Sequence, residues 1–191
     1  MKNTIRSVLL FFEDIHWNLS CRYNFMLYGP YGLSGVIERM PSQFLIKYLR
    51  KYGATIGKNC LIEKGLNLHR PEDKSPFKNL VVGNNVFIGH KTKIDLSRTV
   101  RIYDNVLIGS RCMLWTHSSD YVYENLVPLY REYYGEIEIC EYALIYSGVI
   151  ISYGIKVGNN AKVGAGSMVN RSLEAKCFYG GVPAKFICKI E

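Results

Sequence analysis

Four histidines are the residues of this sequence best suited to move a proton near neutral pH, because an imidazole ordinarily has a pKa of about 6.5. They are His16, His69, His90 and His117. We find no Ser/His/Asp or Cys/His motif beside them that would indicate a catalytic nucleophile. A histidine can act as a general base, and the elements that position each of the four decide which is placed to do so.

A six-residue period is the strongest structural pattern in the chain. Between residues 139 and 169 an aliphatic β-branched residue recurs at every sixth position, and the fourth residue after each is small or compact. Strand alternation has a period of two and a helix one of 3.6, so a strict period of six indicates a solenoid. Each six predicts a short strand and a corner, and three sixes predict one triangular coil, stacked on the next at about 4.8 Å.

The same period begins at Ile56 and is interrupted by two predicted loops, at about residues 69–81 and about residues 118–136. A smaller slip of two residues falls around residues 96–98. A loop of about twenty residues inside a compact domain is usually functional or disordered, and the five tyrosines between residues 117 and 136 argue against disorder. We therefore expect the longer loop to be ordered and to have a functional role.

Residues 1–52 lack the period and are expected to form a capping segment for the open end of the solenoid. A helix is predicted at about residues 42–52, with Phe44, Leu45, Tyr48 and Leu49 on its apolar face. An alternative role for this basic and aromatic segment is peripheral contact with the inner face of a membrane. The apolar run at residues 8–12 is too short for a signal peptide or a membrane span, so we expect a cytoplasmic protein.

Composition limits the classes of partner. The net charge of +8 favours an anionic ligand, but the basic residues are dispersed and form no zinc-finger or RNA-binding motif, so nucleic acid is not expected as a partner. The six cysteines include no Cys-x-x-Cys pair and suggest no zinc site. Cys60 and Cys112 fall on the compact inward position of the repeat, and we interpret them as small core residues in a reducing compartment.

Three features in order resemble one family: the sixes, the segment Val163-Gly-Ala-Gly-Ser-Met-Val169, and Gly181-Val-Pro-Ala-Lys185 after the long loop. Together they resemble the hexapeptide-repeat acyltransferases, and most of all the sugar O-acetyltransferases of the maltose/galactoside type and their capsular-polysaccharide relatives. The resemblance covers roughly residues 53–190. It implies a left-handed parallel β-helix with an N-terminal, partly helical cap, a homotrimer, and acetyl-CoA bound between neighbouring subunits without a metal.

The resemblance also implies a catalytic base. The family places its catalytic histidine where the repeat gives way to the long loop, which is the position of His117. Many relatives carry it two residues further on, where Ser119 stands here, but capsular relatives with Thr-His-Ser match this sequence. Two carboxylates remain as its orienting partner: Asp95, similar to the family's acidic segment one coil earlier, and Asp120.

By the same resemblance, Ser147 lies where a backbone amide faces the thioester carbonyl, and Ala165 lies where amides meet the pantetheine arm. Asn170 and Arg171 stand near the expected position of the CoA nucleotide, and Lys185 matches a basic residue that attracts its phosphates. Leu144 stands where the family has an aromatic residue, and Tyr146 stands where it has a glycine. The wall that faces the acyl group therefore differs from the family's, and an acyl group longer than acetyl remains an alternative.

The resulting hypothesis is an acetyl-CoA-dependent O-acetyltransferase that acts on a sugar hydroxyl, plausibly in surface-polysaccharide synthesis. N-acylation of a nucleotide-linked amino sugar and a non-catalytic β-helix scaffold remain alternatives. A metal enzyme of the γ-carbonic-anhydrase type is disfavoured, because His69, His90 and His117 lack the close pair of histidines that such a site needs.

Overall fold

Inward aliphatic side chains organise residues 55–169 into five successive coils of three strands each. The computed structural model describes residues 2–119 and 132–190 of the chain. The first three coils comprise β1 (Thr55–Ile56), β2 (Leu61–Ile62), β3 (Asn67–His69), β4 (Leu80–Val82), β5 (Phe87–Ile88), β6 (Lys93–Asp95), β7 (Val100–Ile102), β8 (Leu107–Ile108) and β9 (Met113–Leu114). After a hairpin of β10 (His117–Ser119) and β11 (Glu132–Tyr134), the chain continues with β12 (Ile137–Ile139), β13 (Leu144–Ile145), β14 (Ile150–Ile151), β15 (Lys156–Val157), β16 (Lys162–Val163), β17 (Met168–Val169), β18 (Cys177–Gly180) and β19 (Lys185–Lys189).

Each coil contributes one strand to each of three sheets. Sheet A has the order β1-β4-β7-β12-β15, sheet B the order β2-β5-β8-β13-β16-β18-β19, and sheet C the order β3-β6-β9-β14-β17. The pairings between coils are parallel, whereas β18 with β19 and β10 with β11 are antiparallel. The chain therefore passes through the three sheets in rotation, as the period of six predicts. The left-handed sense of this winding stays a prediction.

The core consists of the residues at the six-residue positions and their compact partners. Every inward aliphatic residue of the five coils is at most 7% exposed. Nine of the compact partners are also buried: Val86, Thr92, Val106, Cys112, Ala143, Val149, Ile155, Ala161 and Ser167. This burial confirms which positions of each six face inward. At the corner between sheets A and B, Asn59, Asn85 and Asn105 have positive φ and form a ladder of side-chain hydrogen bonds of 3.2 and 3.0 Å.

Departures from the period all leave the same corner, the one between sheet C and sheet A. Within each coil the inward residues are six apart, but 14 residues separate Leu68 from Val82 and 25 separate Leu114 from Ile139. The predicted loop at about 69–81 is corrected to residues 70–79, because β3 ends at His69 and β4 begins at Leu80. The predicted loop at about 118–136 begins and ends with the paired strands β10 and β11 rather than with irregular chain.

The N-terminal segment is far more helical than its sequence predicted. Helix α1 extends over Lys2–Arg39, with a break at Gly29, where φ is 61° and ψ is −155°, just before Pro30. Helix α2, Ser42–Lys51, occupies the segment in which a helix was expected at about residues 42–52. Its four predicted apolar residues are all buried, and Gly53 follows it with a φ of 107°.

Both helices close the first coil. Arg50 of α2 donates hydrogen bonds to the carbonyl oxygens of Ile56, at 3.0 and 2.8 Å, and of Gly57, at 2.6 Å. These carbonyls belong to the end of β1, an edge strand of sheet A that would otherwise leave them to solvent. At the end of α1, the carbonyl of Glu38 accepts a hydrogen bond of 3.1 Å from the amide of Gly65. The helices therefore cover the open end of the stack.

Candidate active site at the corner between sheets C and A

The corner from which the loops leave collects polar and aromatic side chains. His69, Asp95 and Trp115 each directly follow the inward aliphatic residue of a sheet C strand. Parallel in-register pairing places His69 beside Asp95 and continues to the strand that precedes Trp115. His117 lies two residues further on, at the start of β10. Three coils thus bring residues far apart in sequence to one edge of sheet C.

His117 and Asp95 form a hydrogen-bonded pair. The Nδ1 of His117 lies 2.8 Å from Oδ2 of Asp95, whose side chain is fully buried, while the imidazole is 10% exposed. Asp95 also accepts hydrogen bonds from the amide of Thr116 at 3.1 Å, from the hydroxyl of Thr116, and from the hydroxyl of Ser97 at 3.1 Å. A carboxylate held by this many donors has a fixed orientation and fixes the imidazole in turn.

The pairing determines what the imidazole is able to do. An ionised carboxylate only accepts hydrogen bonds, so the proton of a neutral His117 lies on Nδ1 and the lone pair on Nε2. That lone pair is the group a general base needs, and the carboxylate stabilises the imidazolium that forms when it takes a proton. Of the two carboxylates considered as orienting partners, Asp95 makes the contact, and Asp120 lies outside the described residues.

Three further rings surround His117. His69 stacks on it, with ring centroids 5.7 Å apart and an interplanar angle of 24°, and Trp115 and Tyr134 lie 6.1 and 6.3 Å away. Burial lowers the pKa of His69, the Asp95 carboxylate opposes this, and the positive charge of Lys93 lowers the pKa further. The amine of Lys93 lies 4.8 Å above the ring of Trp115. The corner is therefore an aromatic pocket with a neutral second imidazole.

His69 is the site residue that sequence reasoning missed. It was assigned only to the start of the first loop, although a signal was present. When the sixes are aligned, His69, Asp95 and Trp115 occupy the same position, directly after Leu68, Ile94 and Leu114. Residues at equivalent positions of stacked coils are neighbours on parallel strands, so the alignment alone places His69 beside Asp95.

His69, Asp95 and His117 also form a group whose possible ligand atoms lie within 4.8 Å of one another, as a metal site would require. Two observations favour a hydrogen-bonded pair over a ligand set. The Nδ1 of His117 and Oδ2 of Asp95 are already bonded to each other. The two imidazoles are nearly parallel, and the lone pairs of nitrogens in stacked rings lie in parallel planes and do not converge on one ion.

The residues expected to bind the cofactor stand elsewhere. Ser147 and Ala165 occupy equivalent positions on neighbouring coils at the corner between sheets B and C, where both are exposed. A Cβ built on the adjacent Gly166 would meet no atom of the described chain within 4 Å, so this corner is open. Asn170 and Arg171 follow the last strand of sheet C, Lys185 begins β19, and all three are exposed.

The two groups of predicted site residues lie on opposite edges of sheet C within one chain. Ser147 precedes a sheet C strand, whereas His69, Asp95 and Trp115 end or follow such strands. Five residues of extended chain separate the two edges, which corresponds to roughly 15 Å. The structure therefore brings His117 and Asp95 together, and Ser147 and Ala165 together, but it does not join the two pairs in one protomer.

A large cavity lies along the outer face of sheet C. It has a volume of about 900 Å³, and its floor is formed by Asn67, Lys93 and Met113. His90 lines its other end, with its Nδ1 2.8 Å from the hydroxyl of Ser110 and 3.4 Å from a carboxylate oxygen of Glu63. Lys93, which lines this cavity, also contacts the ring of Trp115, but His69, Asp95 and His117 do not line it.

Comparison with known proteins agrees with the class of protein defined by coiled parallel strands. A family profile described as the hexapeptide repeat of succinyl-transferase matches residues 143–171. The chain belongs to the hexapeptide-repeat acyltransferase family. It is 30% identical to the galactoside O-acetyltransferase of Escherichia coli strain K12 over 142 residues, which are 74% of this chain and 66% of that protein.

Two further relatives extend the comparison. The putative colanic acid biosynthesis acetyltransferase WcaF of Escherichia coli strain K12 is 28% identical over 73% of this chain and 71% of its own length. A solved structure of a galactoside acetyltransferase in complex with coenzyme A superposes with a TM-score of 0.73 at 25% identity, covering 90% of this chain and 83% of that one. The chain spans about two thirds of the length of these curated relatives.

Proposed function

We propose that this protein is an acetyl-CoA-dependent O-acetyltransferase whose acceptor is a sugar hydroxyl, with His117 as general base. The observation that carries the proposal is the His117–Asp95 pair at 2.8 Å, at the corner from which the acceptor-facing loops leave. Family membership supports acyl transfer, and the names of two relatives support a sugar as acceptor. A CoA-bound relative supports the donor.

The proposed reaction uses the chain's own groups as follows. The Nε2 of His117 takes the proton of the acceptor hydroxyl while the oxygen attacks the carbonyl carbon of the thioester. Asp95 holds the imidazolium in place through Nδ1. A backbone amide at Ser147 donates to the developing oxyanion. The carbon–sulfur bond then breaks, and His117 returns its proton to the leaving thiolate. The acetyl group passes directly to the acceptor without a covalent enzyme intermediate.

The proposed CoA groove begins at the open corner of Ser147 and Ala165. An exposed corner of small residues admits a thin pantetheine arm close to the backbone, and the absence of chain atoms near a Cβ at Gly166 fits this role. Lys185 and Arg171 are exposed cations that would attract the phosphates, with Asn170 beside Arg171. Tyr146, next to Ser147 and 43% exposed, would shape the wall that faces the acyl group.

We further propose that the protein works as a homotrimer. The outward residues of sheet B form an in-register apolar ladder of Leu61, Phe87, Leu107 and Leu144. In its last three coils sheet C presents Met113, Ile150 and Met168 in the same way, after Asn67 and Lys93 in the first two. Sheet A presents polar residues instead, including the ion pair of Lys156 with Glu138 at 3.0 Å. A prism with two apolar faces and one polar face is suited to a closed ring of three, in which one protomer's His117 faces another's Ser147.

In this proposal, residues 53–190 form the catalytic left-handed β-helix and residues 1–52 cap it. All six cysteines are free thiols, which fits a reducing cytoplasm. A role in surface-polysaccharide synthesis follows from the name of the colanic acid relative. A reaction without a metal follows from the histidine–aspartate geometry, which provides base catalysis by itself.

The test is the release of free CoA from acetyl-CoA with a panel of sugars, measured for wild type, His117→Ala, His90→Ala and His16→Ala. We expect His117→Ala to lose about 10²–10⁴-fold in kcat, the range of a general base, with CoA affinity retained in calorimetry. His16→Ala is the control for removal of an imidazole from an unrelated position. Equal turnover of His117→Ala and wild type would reject the assigned base, and loss in His90→Ala alone would move the base to His90, which lines the cavity along sheet C.

A further inference from the structure

The outer face of α1 is an apolar surface that no element of the described chain covers. Of the large apolar side chains that are exposed in the structure, more than half lie on this one helix. They include Phe12 and Leu19, each 61% exposed. Together they amount to on the order of 1,000 Å², whereas the largest apolar patch of a typical soluble monomer is roughly 300–600 Å². An exposed apolar surface of this size indicates an interaction site.

The exposed side chains form one continuous stripe along the helix. Ile5, Val8, Phe12, Ile15 and Leu19 follow one another at intervals of three and four residues, the spacing of a single helical face. The opposite face contacts the rest of the protein, where Cys21 is fully buried and Trp17 packs against the core. The stripe therefore points away from the coils and from α2.

The charges of α1 are sorted between these two faces. Before the break at Gly29, both acidic residues of the helix are turned to α2, where Gln43 donates to Glu13 and Lys47 pairs with Asp14. By helical spacing the exposed Arg22 borders the stripe, whereas the exposed Arg6 lies nearer the face of Trp17. An apolar stripe with a cation at its border, and with the acids engaged elsewhere, is complementary to an anionic lipid surface.

A second copy of this chain is the other possible occupant, and the structure favours a lipid surface over it. The apolar ladders of sheets B and C already provide two faces for contact between copies. The stripe on α1 is also wider than the narrow seam of a coiled coil, because Leu9 and Phe11 flank it and are themselves about 60% exposed. In the part of the chain that the structure describes, no helix combines the length and apolarity needed to traverse a bilayer.

We propose that α1 is an interfacial helix that lies flat on an anionic membrane, with the stripe from Ile5 to Met26 in the boundary between headgroups and acyl chains. At 1.5 Å per residue, this stripe extends about 30 Å along the surface. Tyr23, exposed toward the C-terminal end of the stripe, is suited to the headgroup level. This inference is independent of the acyl-transfer proposal, because it uses none of the site residues.

The experiment is flotation of the full chain with vesicles of phosphatidylcholine alone and of phosphatidylcholine with phosphatidylglycerol. We expect the wild type to bind the anionic vesicles and Phe12→Glu/Leu19→Glu to bind them with an affinity at least about tenfold lower. Each large apolar side chain that is withdrawn from lipid lowers the binding affinity by more than about tenfold. Ile187→Glu is the matched control, since Ile187 is 54% exposed and lies on β19, at the other end of sheet B from β2.

A second variant tests the charges. Arg6→Glu/Arg22→Glu is expected to lose binding to the anionic vesicles while its helix content and unfolding midpoint match the wild type, because both side chains are exposed. The proposal is overturned if the wild type does not float with anionic vesicles, or if Phe12→Glu/Leu19→Glu floats as well as Ile187→Glu. Failure to float combined with a lower molar mass of Phe12→Glu/Leu19→Glu in sedimentation would assign the face to a second copy instead.

Discussion

At the scale of single residues, the site depends on a carboxylate that cannot turn. Asp95 is fully buried and accepts hydrogen bonds from His117, Thr116 and Ser97, so both of its oxygens are engaged. The amide of an asparagine would keep the shape but would place an N–H where one of these donors now points. The imidazole would then lose either its orientation or the tautomer with the proton on Nδ1.

We therefore predict that Asp95→Asn lowers kcat by about 10–100-fold with little change in the KM for acetyl-CoA. Asp104→Asn is the matched control, because Asp104 also accepts hydrogen bonds from a neighbouring coil, at 2.7 Å from the amide of Asn84, but stands at a different corner. Steady-state kinetics of both variants measures the difference. A similar loss in the two variants would mean that a general loss of corner structure, and not the orientation of His117, lowers the rate.

The second imidazole gives the protein a pH dependence of stability. Burial lowers the pKa of His69 from its ordinary value of 6.5, so the folded state binds fewer protons there than the unfolded state does. Stability from this group is complete above pH 6.5 and declines as the pH falls from 6.5 toward the lowered pKa. We predict that His69→Gln flattens this decline in urea unfolding between pH 7 and pH 5. An unchanged pH profile in the variant would show that other groups cause the decline.

Some of the candidate site residues could be identified from the sequence and others could not. His117 was identified by resemblance and by its position at the start of a loop, and Asp95 was one of two open options. His69 was missed because its proximity to His117 depends on the stacking of coils across 48 residues, with a loop of irregular length between them. Aligning the sixes places His69 beside Asp95, but the approach of His117, which lies beyond the repeat at the start of β10, requires the structure.

At the scale of elements, the corner between sheets A and B contains one residue, Tyr142, whose side chain is unsuited to the positive φ of that corner. Asn59, Asn85 and Asn105 have positive φ in successive coils, and asparagine tolerates this region because its side chain bonds locally. Tyr142 takes the next position with a φ of 61° and is 53% exposed. A tyrosine in this conformation is strained, and it interrupts the ladder of amide side chains.

We predict that Tyr142→Asn stabilises the protein by about 1 kcal/mol, through relief of the left-handed conformation and extension of the ladder. The measurement is the denaturant midpoint at fixed protein concentration, since assembly also affects stability. The reverse change, Asn85→Tyr, breaks two side-chain hydrogen bonds of 3.2 and 3.0 Å and should destabilise by at least as much. A lower midpoint for Tyr142→Asn would indicate that the tyrosine ring makes a stabilising contact in the assembly.

The coils and α2 followed from the sequence, whereas α1 did not. Inward residues at a strict period of six leave little choice of structure, and α2 has one apolar face and one basic face. Helix α1 is apolar on both sides, with Trp17 and Cys21 packed inward and Phe12 and Leu19 exposed. A stripe of hydrophobicity that identifies a helix disappears when both faces are apolar. The apolar outer face of α1, which hides the helix from the sequence pattern, is also the face proposed to contact a membrane.

At the scale of the whole molecule, the residues of the proposed site do not come together within a single protomer. His117 and Asp95 lie at one edge of sheet C and Ser147 and Ala165 at the other, roughly 15 Å apart by strand length. A threefold arrangement would set one protomer's base against the next protomer's CoA corner. The cavity of about 900 Å³ along sheet C would then lie between copies.

This arrangement predicts that two inactive variants complement each other. His117→Ala removes the base, and Ala165→Trp fills the exposed corner where the pantetheine arm is proposed to lie. Each alone should be inactive. When the two are unfolded, mixed in equal amounts and refolded, a site formed by two protomers receives both intact residues in about one quarter of cases, so roughly a quarter of wild-type activity should return. Refolding each variant separately is the control. If each site belonged to one protomer, every site in the mixture would carry a lesion and no activity would return.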